Sequence, residues 1–166
     1  MNQFIVDFEG FPLCGGSTYK IKELCVVDVG TGKKRQFMVK LRPTDFHTLS
    51  ASDRQSYCWV KENLNQLSWL EESEKHEDVS EEWISQFLSS LALKGTIYVK
   101  GAQKVNYLKR FGACPVVNLE SLVTGNFINI VSLDIPGCGM RVHTNVMHCA
   151  VRKAMCYFKK LKQTQE

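Results

Sequence analysis

This chain of 166 residues has no run of about 18 uncharged apolar residues and so offers no candidate transmembrane helix. A secretory leader core is missing as well, because Asp7 and Glu9 interrupt the first apolar stretch. These absences predict a soluble intracellular protein, cytoplasmic or nuclear, with no membrane partner. The sequence has no internal repeat and no low-complexity tract. Cysteine is not scarce, yet its count of seven is odd. Most of the cysteines sit in apolar runs, where a reduced thiol behaves as a small hydrophobe, so disulfides are not expected. Acid is missing altogether from residues 141–162, which carry Arg141, Arg152, Lys153, Lys159, Lys160 and Lys162.

What is present suits one domain spanning residues 1–166. Apolar residues make up 44% of the chain, enough for one core. Acid is concentrated in residues 71–82, "EESEKHEDVSEE"; residues 71–78 are too polar to bury and predict a mobile acidic loop. The basic C-terminal segment, with the whole chain at a formal +4, suits a polyanion such as RNA or a single-stranded nucleic acid, although a solvated helix face has the same composition.

Residues 1–41 read as three successive antiparallel strands. "NQFIVDFE" and "YKIKELCVVDV" are rich in β-branched and aromatic residues, with Tyr19, Ile21, Cys25, Val27 and Val29 on one face at period two. "GTGKK" is a turn without the spacing of a phosphate loop, and "RQFMVKL" alternates as the third strand. Ser50 and Asp53 have capping-box spacing ahead of a first helix, and Asp78 and Glu81 can cap a second. Strand and helix then alternate through "GTIYVKG", "AQKVNYLKRF" and "CPVVNL", which implies parallel strands joined by crossovers. Val146, Ala150, Ala154 and Phe158 repeat every four residues and predict a long amphipathic helix over about residues 144–162. The expected architecture is α/β, with a five-stranded mixed sheet (three antiparallel strands, then two parallel) flanked by helices.

Two constellations carry chemistry. Asp7 and Glu9 stand two apart at the end of the first strand in "FIVDFEG", and "HCAVRKA" begins the last helix. With the strand order, these motifs resemble the ribonuclease-H-like domain of the DEDDh 3′–5′ exonuclease superfamily. That family carries Asp-x-Glu on its first strand, an Asp on the helix after the fourth strand, and His-x-Ala-x-x-Asp on its last helix. The resemblance implies two divalent ions, Mg or Mn, held by carboxylates, and a histidine as general base. Transferred to this chain, it makes Asp7, Glu9 and His148 the catalytic positions, while Lys104 and Lys153 stand where two further acids belong. Replacing two acids by two ammonium groups changes the local charge by four units. Each cation–ammonium contact at about 4 Å would cost several kcal/mol even at an effective dielectric near 20. Two-ion binding should fail, and the lysines can pair with Asp7 and Glu9 instead.

The second constellation is "CGMRVHTNVMHC", with Cys138, His143 and Cys149 inside a dozen residues. Thiolate and imidazole are preferred zinc ligands, and a structural zinc site needs four. Cys58 is the favoured fourth ligand on its chemistry, with His47, Glu62 and His148 as alternatives. This arrangement resembles the Maelstrom branch of the ribonuclease-H-like fold and related short arthropod and virus-associated proteins. In that branch Cys, His and Cys near the final helix bind zinc with one distant Glu or His, and the exonuclease acids are largely gone.

The expected function is therefore binding of nucleic acid, in particular single-stranded RNA, by a zinc-stabilised pseudoenzyme in a small-RNA or transposon-control setting. Arg141, Arg152, Lys159, Lys160 and Lys162 would contact phosphates, with a protein partner in addition. The alternatives are an active 3′–5′ exonuclease or ribonuclease using Asp7, Glu9 and His148, and a protein-interaction scaffold without nucleic-acid affinity. Trp59, Trp69 and Trp83 read as packing rather than base-stacking residues.

Overall fold

Apolar residues at both parities of the first segment, Phe4, Val6 and Phe8 on one side and Ile5 on the other, are what a strand buried on both faces requires. In the computed structural model, which describes residues 1–112, 115–122, 134–140, 143 and 146–165, that segment is the central strand β1 (Asn2–Leu13). It pairs antiparallel with β2 (Thr18–Asp28), which pairs antiparallel with β3 (Lys34–Lys40). On its other side β1 pairs parallel with β5 (Gly95–Val99), and β5 pairs parallel with β6 (Val116–Asn118).

The sheet has six strands among the described residues, not five. The additional strand, β4 (Glu77–Ser80), lies parallel to β3 in the order β4-β3-β2-β1-β5-β6. Its first residues were expected in the acidic loop. Glu77 instead receives a two-pronged contact from Arg35 at 2.8 and 3.0 Å, and Lys40 lies 3.9 Å from Asp78. Short, charged and exposed, such a strand can close a sheet edge without inviting further pairing.

Helices α1 (Pro43–His47), α2 (Ala51–Val60), α3 (Glu81–Lys94) and α4 (Ala102–Leu108) connect these strands. Ser50 caps α2 by accepting from Asp53 N–H at 3.1 Å, as its spacing predicts. The cap of α3 is Ser80, which accepts from Trp83 N–H at 3.1 Å, rather than Asp78. Tyr57, Ile84, Leu88, Val105 and Leu108 from α2, α3 and α4 join Phe4, Val6 and Phe8 in the larger core. On the other face α5 (Ala150–Gln165) lays Val151, Ala154, Tyr157 and Leu161 against Ile5, Cys25, Val27 and Val29. A single 3₁₀ turn, Val146–His148, precedes α5, so the last helix begins later than its periodicity predicts. No helix among the described residues is long and apolar enough to cross a membrane.

A bulge interrupts the β1–β2 ladder. Glu9 faces Glu23, but Gly10 faces Ile21, which leaves Lys22 as the additional residue on β2. Lys22 is buried and donates to Val39 O at 2.8 Å. Tyr19 and Ile21 consequently pack with the larger core, away from Cys25, Val27 and Val29, and the single face expected for these five residues is divided. Gly10 permits this geometry, because a Cβ there would lie 1.9 Å from Lys20 O. Gly10→Ala should therefore destabilise the protein by about 1–3 kcal/mol or more, measured as a lower urea midpoint; an unchanged midpoint would show that the bulge relaxes freely.

Candidate functional site: two buried clusters at the start of the closing helix

The side chains of Asp7 and Glu9 project toward α5 and are buried, with 1% and 7% exposure. An isolated carboxylate in such a place is strongly disfavoured, and two lysines compensate here. Lys104, in the first turn of α4, donates to Asp7 Oδ1 and to Phe8 O, both at 2.8 Å. Lys153, one turn into α5, donates to Glu9 Oε1 and places Nζ 2.9 Å from Asp7 Oδ2. His148 Nδ1 lies 3.5 Å from Glu9 Oε1. All five residues singled out from the exonuclease-like motifs thus meet in one cluster, with the ammonium groups against the carboxylates.

Burial pushes the Glu9 pKa up, but Lys153, the His148 hydrogen bond and Lys104 outweigh it and hold the carboxyl at about 2. Burial likewise opposes the charge on Lys153, and Asp7 and Glu9 outweigh it, raising that pKa well above its ordinary value. For Lys104 burial, again the largest influence, is only partly offset by Asp7 and Glu9 and is reinforced by the Lys153 charge, so its pKa is lowered.

Directly across the β1–β2 ladder from Glu9 lies a second cluster. Glu23, Cys138, His143 and Cys149 bring one donor atom each within 4.8 Å of one another. Two sulfurs, one imidazole nitrogen and one carboxylate oxygen form a donor set suited to a divalent transition metal. Glu23 Oε1 accepts from Ala150 N–H at 2.8 Å, which caps the start of α5. His143 Nδ1 lies 2.9 Å from Asn65 O and must donate there, so in the neutral ring Nε2 carries no proton. That bare nitrogen faces Glu23 Oε2 at 3.4 Å. Two acceptors so placed need either an added proton or a cation between them. Without a cation, burial opposes protonation of His143 but Glu23 outweighs it, raising the His143 pKa, while the Glu23 carboxyl is held far below its ordinary range despite burial. A hydrogen bond from the Cys138 thiol lowers Cys149 to about 6 and raises Cys138 correspondingly.

Cys138, His143 and Cys149 are the residues expected at a metal site; Cys58 is not in the group. It is exposed on α2, and Glu23 completes the set in its place. His47 and Glu62 are also exposed, and His148 belongs to the Glu9 cluster. Sequence reasoning passed over Glu23 as a polar position in a strand. The available signal was an acid flanked by Leu24, Cys25, Val26 and Val27, where a carboxylate needs a dedicated partner.

Of the basic residues expected to contact phosphates, Lys159 is exposed and Lys160 and Lys162 are half-buried near the end of α5. Arg152 is engaged, its Nε donating to Ile135 O at 2.9 Å. Arg141 lies outside the described residues. A cavity of about 590 Å³ adjoins the lysine–carboxylate cluster, walled by Phe8, Tyr19, Tyr107, Lys104 and Arg110. Its three aromatic rings pack on one another with centroids 5.4–5.8 Å apart. Trp59, expected to pack, is 57% exposed, whereas Trp69 is buried.

Fold and clusters together define an α/β domain in which a helix is fastened to a mixed sheet by a buried ion-pair network and a metal-ligand-type group. No protein-family model matches the chain, and no curated protein is significantly similar to it.

Lys153→Met should cost about 3–5 kcal/mol at pH 7, because it leaves buried carboxylate charge uncompensated. Since the folded pKa of Glu9 is depressed from 4.5 to about 2, its stabilisation is complete above about pH 4.5 and lost as pH falls through about 2. The gap between the parent protein and the variant, measured by urea unfolding, should narrow across that window; a gap of constant size would contradict the assignment.

Proposed function

We propose that this protein is a ribonuclease-H-like nucleic-acid-binding domain in which a two-metal nuclease site has become an ion-pair clamp, and that its ligand is single-stranded RNA. The observation carrying this reading is the pair of contacts from Lys104 and Lys153 to Asp7 and Glu9. Two divalent ions would have to displace both ammonium groups, or bind beside them, to use those carboxylates. The chain would therefore hold RNA without cutting it. The cavity next to Lys104 supports this reading by offering Tyr19 and Tyr107 as aromatic surfaces for a base and Lys104 and Arg110 as cations for its phosphate, and the exposed Lys159, with the half-buried Lys160 and Lys162, adds cations near the end of α5. A small-RNA or transposon-control setting follows from the resemblance to the Maelstrom branch.

Zinc is the proposed ion for the Glu23, Cys138, His143 and Cys149 group, where it would supply structural cross-linking of α5 to β2. Elemental analysis should return one zinc per chain, and Cys149→Ser should abolish it; purified protein that takes up none, even after refolding with zinc, would remove this proposal.

A residual exonuclease is the second reading, favoured by one observation: Asp7, Glu9 and His148 remain together, with His148 Nδ1 3.5 Å from Glu9. A labelled single-stranded RNA separates the readings. Binding should strengthen as salt falls, and replacing Lys159, Lys160 and Lys162 by alanine should flatten the log–log salt slope by about 2. No product should form with Mn²⁺. Degradation that Glu9→Ala abolishes would establish the enzyme instead, and the lack of any salt-sensitive shift at micromolar protein would overturn the RNA assignment.

A further inference from the structure

Ser73, Lys75 and His76 lie in the acidic segment, and the function proposed above uses none of them. Yet the His76 side chain is fully buried, as is that of Glu23, and its Nε2 lies 2.8 Å from Glu23 Oε2. Its other ring nitrogen, Nδ1, is 2.6 Å from Ser73 Oγ, and Ser73 Oγ also accepts from Lys75 N–H at 3.1 Å. With a neutral His76 ring, one arrangement of protons satisfies all of these contacts around a carboxylate acceptor. Lys75 N–H donates to Ser73, the Ser73 hydroxyl donates to His76 Nδ1, and His76 Nε2–H donates to Glu23. Every donor in the chain points toward Glu23.

A second, separate connection reaches another member of the group. Gln36, on β3, donates from Nε2 to Lys75 O at 2.7 Å and to Cys138 O at 3.0 Å, using both amide hydrogens. The turn at residues 73–76 is thereby tied to Glu23 through an imidazole and to Cys138 through an amide.

We propose that His76 and Gln36 are positioning residues of the metal centre, holding Glu23 and Cys138 in place for the ion, and that metal occupancy in turn fastens residues 73–78 to the sheet. This inference rests on the metal-centre reading. Groups that orient ligands from outside typically contribute 10- to 100-fold in metal affinity. The local geometry gives a reason for that here: Glu23 has one oxygen on Ala150 N–H and the other facing His76 and His143. Without His76, the second oxygen is free to turn away from the ligand position. The path also links the centre to β4, since Glu77 follows His76 directly and opens that strand.

The test is zinc affinity by competition with a chromophoric chelator, using the full chain, together with hydrogen exchange of the amides of residues 74–78. His76→Ala and Gln36→Ala should each weaken zinc binding by 10- to 100-fold, and His76→Gln, which keeps an N–H donor, should recover part of the loss. In the parent protein, zinc removal should raise exchange across residues 74–78. If the parent protein binds zinc and all three variants bind it equally well, or if exchange in the segment ignores zinc, the inference is wrong while the metal centre stands. If the parent protein binds none, the underlying reading fails first. Gln36 is only half-buried, so its variant supplies the measurement should His76→Ala not fold.

Discussion

Three carboxylates, Asp7, Glu9 and Glu23, lie buried on one face of the sheet, among Ile5, Cys25 and Val27. Bare, each would cost several kcal/mol in that setting, so the fold on that face depends on what neutralises them. The first turn and a half of α5 supplies most of the answer. Ala150 gives its free backbone N–H to Glu23, Lys153 gives its ammonium to Asp7 and Glu9, and Cys149, immediately before the helix, joins the metal-ligand group. A helix N-terminus already favours negative charge, so a carboxylate at that end is stabilised by the dipole as well as by the hydrogen bond.

The bulge at Gly10 and Lys22 makes this arrangement geometrically available. Glu9 and Glu23 are opposite one another in the ladder, immediately before the register shifts. Side chains that directly face each other across antiparallel strands sit close together, and like charges so placed repel. Each of the two acids is therefore drawn to a different partner set, Glu9 to Lys153 and His148, Glu23 to His76, His143 and Ala150. Beyond the shift, Phe11 and Leu13 can join the opposite core with Tyr57 and Trp69.

The local elements were legible because their signals are local. β-Branched and aromatic residues marked β1 and β2, alternation marked β3, Ser50 with Asp53 marked the start of α2, and a four-residue repeat marked α5, although its start was displaced by the 3₁₀ turn carrying His148. Asp7, Glu9, His148, Lys104 and Lys153 could be brought together on paper because a family pattern related distant segments. Glu23 and β4 escaped for the converse reason. Nothing adjacent to Glu23 reveals that its partners are His76, His143 and Ala150, which stand 53, 120 and 127 residues away. Residues 77–80 are too polar to read as a strand, yet they pair in parallel with β3, where Arg35 and Lys40 meet their acids. Cys58 had the right chemistry for a ligand and the wrong position, since ligand type can be read from sequence and convergence cannot.

Stability alone does not require the lysine–carboxylate cluster. Replacing a buried ion pair by apolar groups of similar volume is often neutral or stabilising, and the neighbouring face of α5 is already apolar. What an apolar replacement could not do is hold a cation at the wall of the 590 Å³ cavity. Lys104 does so: its side chain remains 25% exposed, its ammonium is braced by Asp7 and Phe8 O, and it lies 4.9 Å from the Phe8 ring centroid. Lys153, almost fully enclosed, has no such outlook and instead satisfies both acids at once. The two lysines therefore divide the work: Lys153 stabilises the buried acids, which leaves Asp7 able to hold Lys104 at the cavity wall.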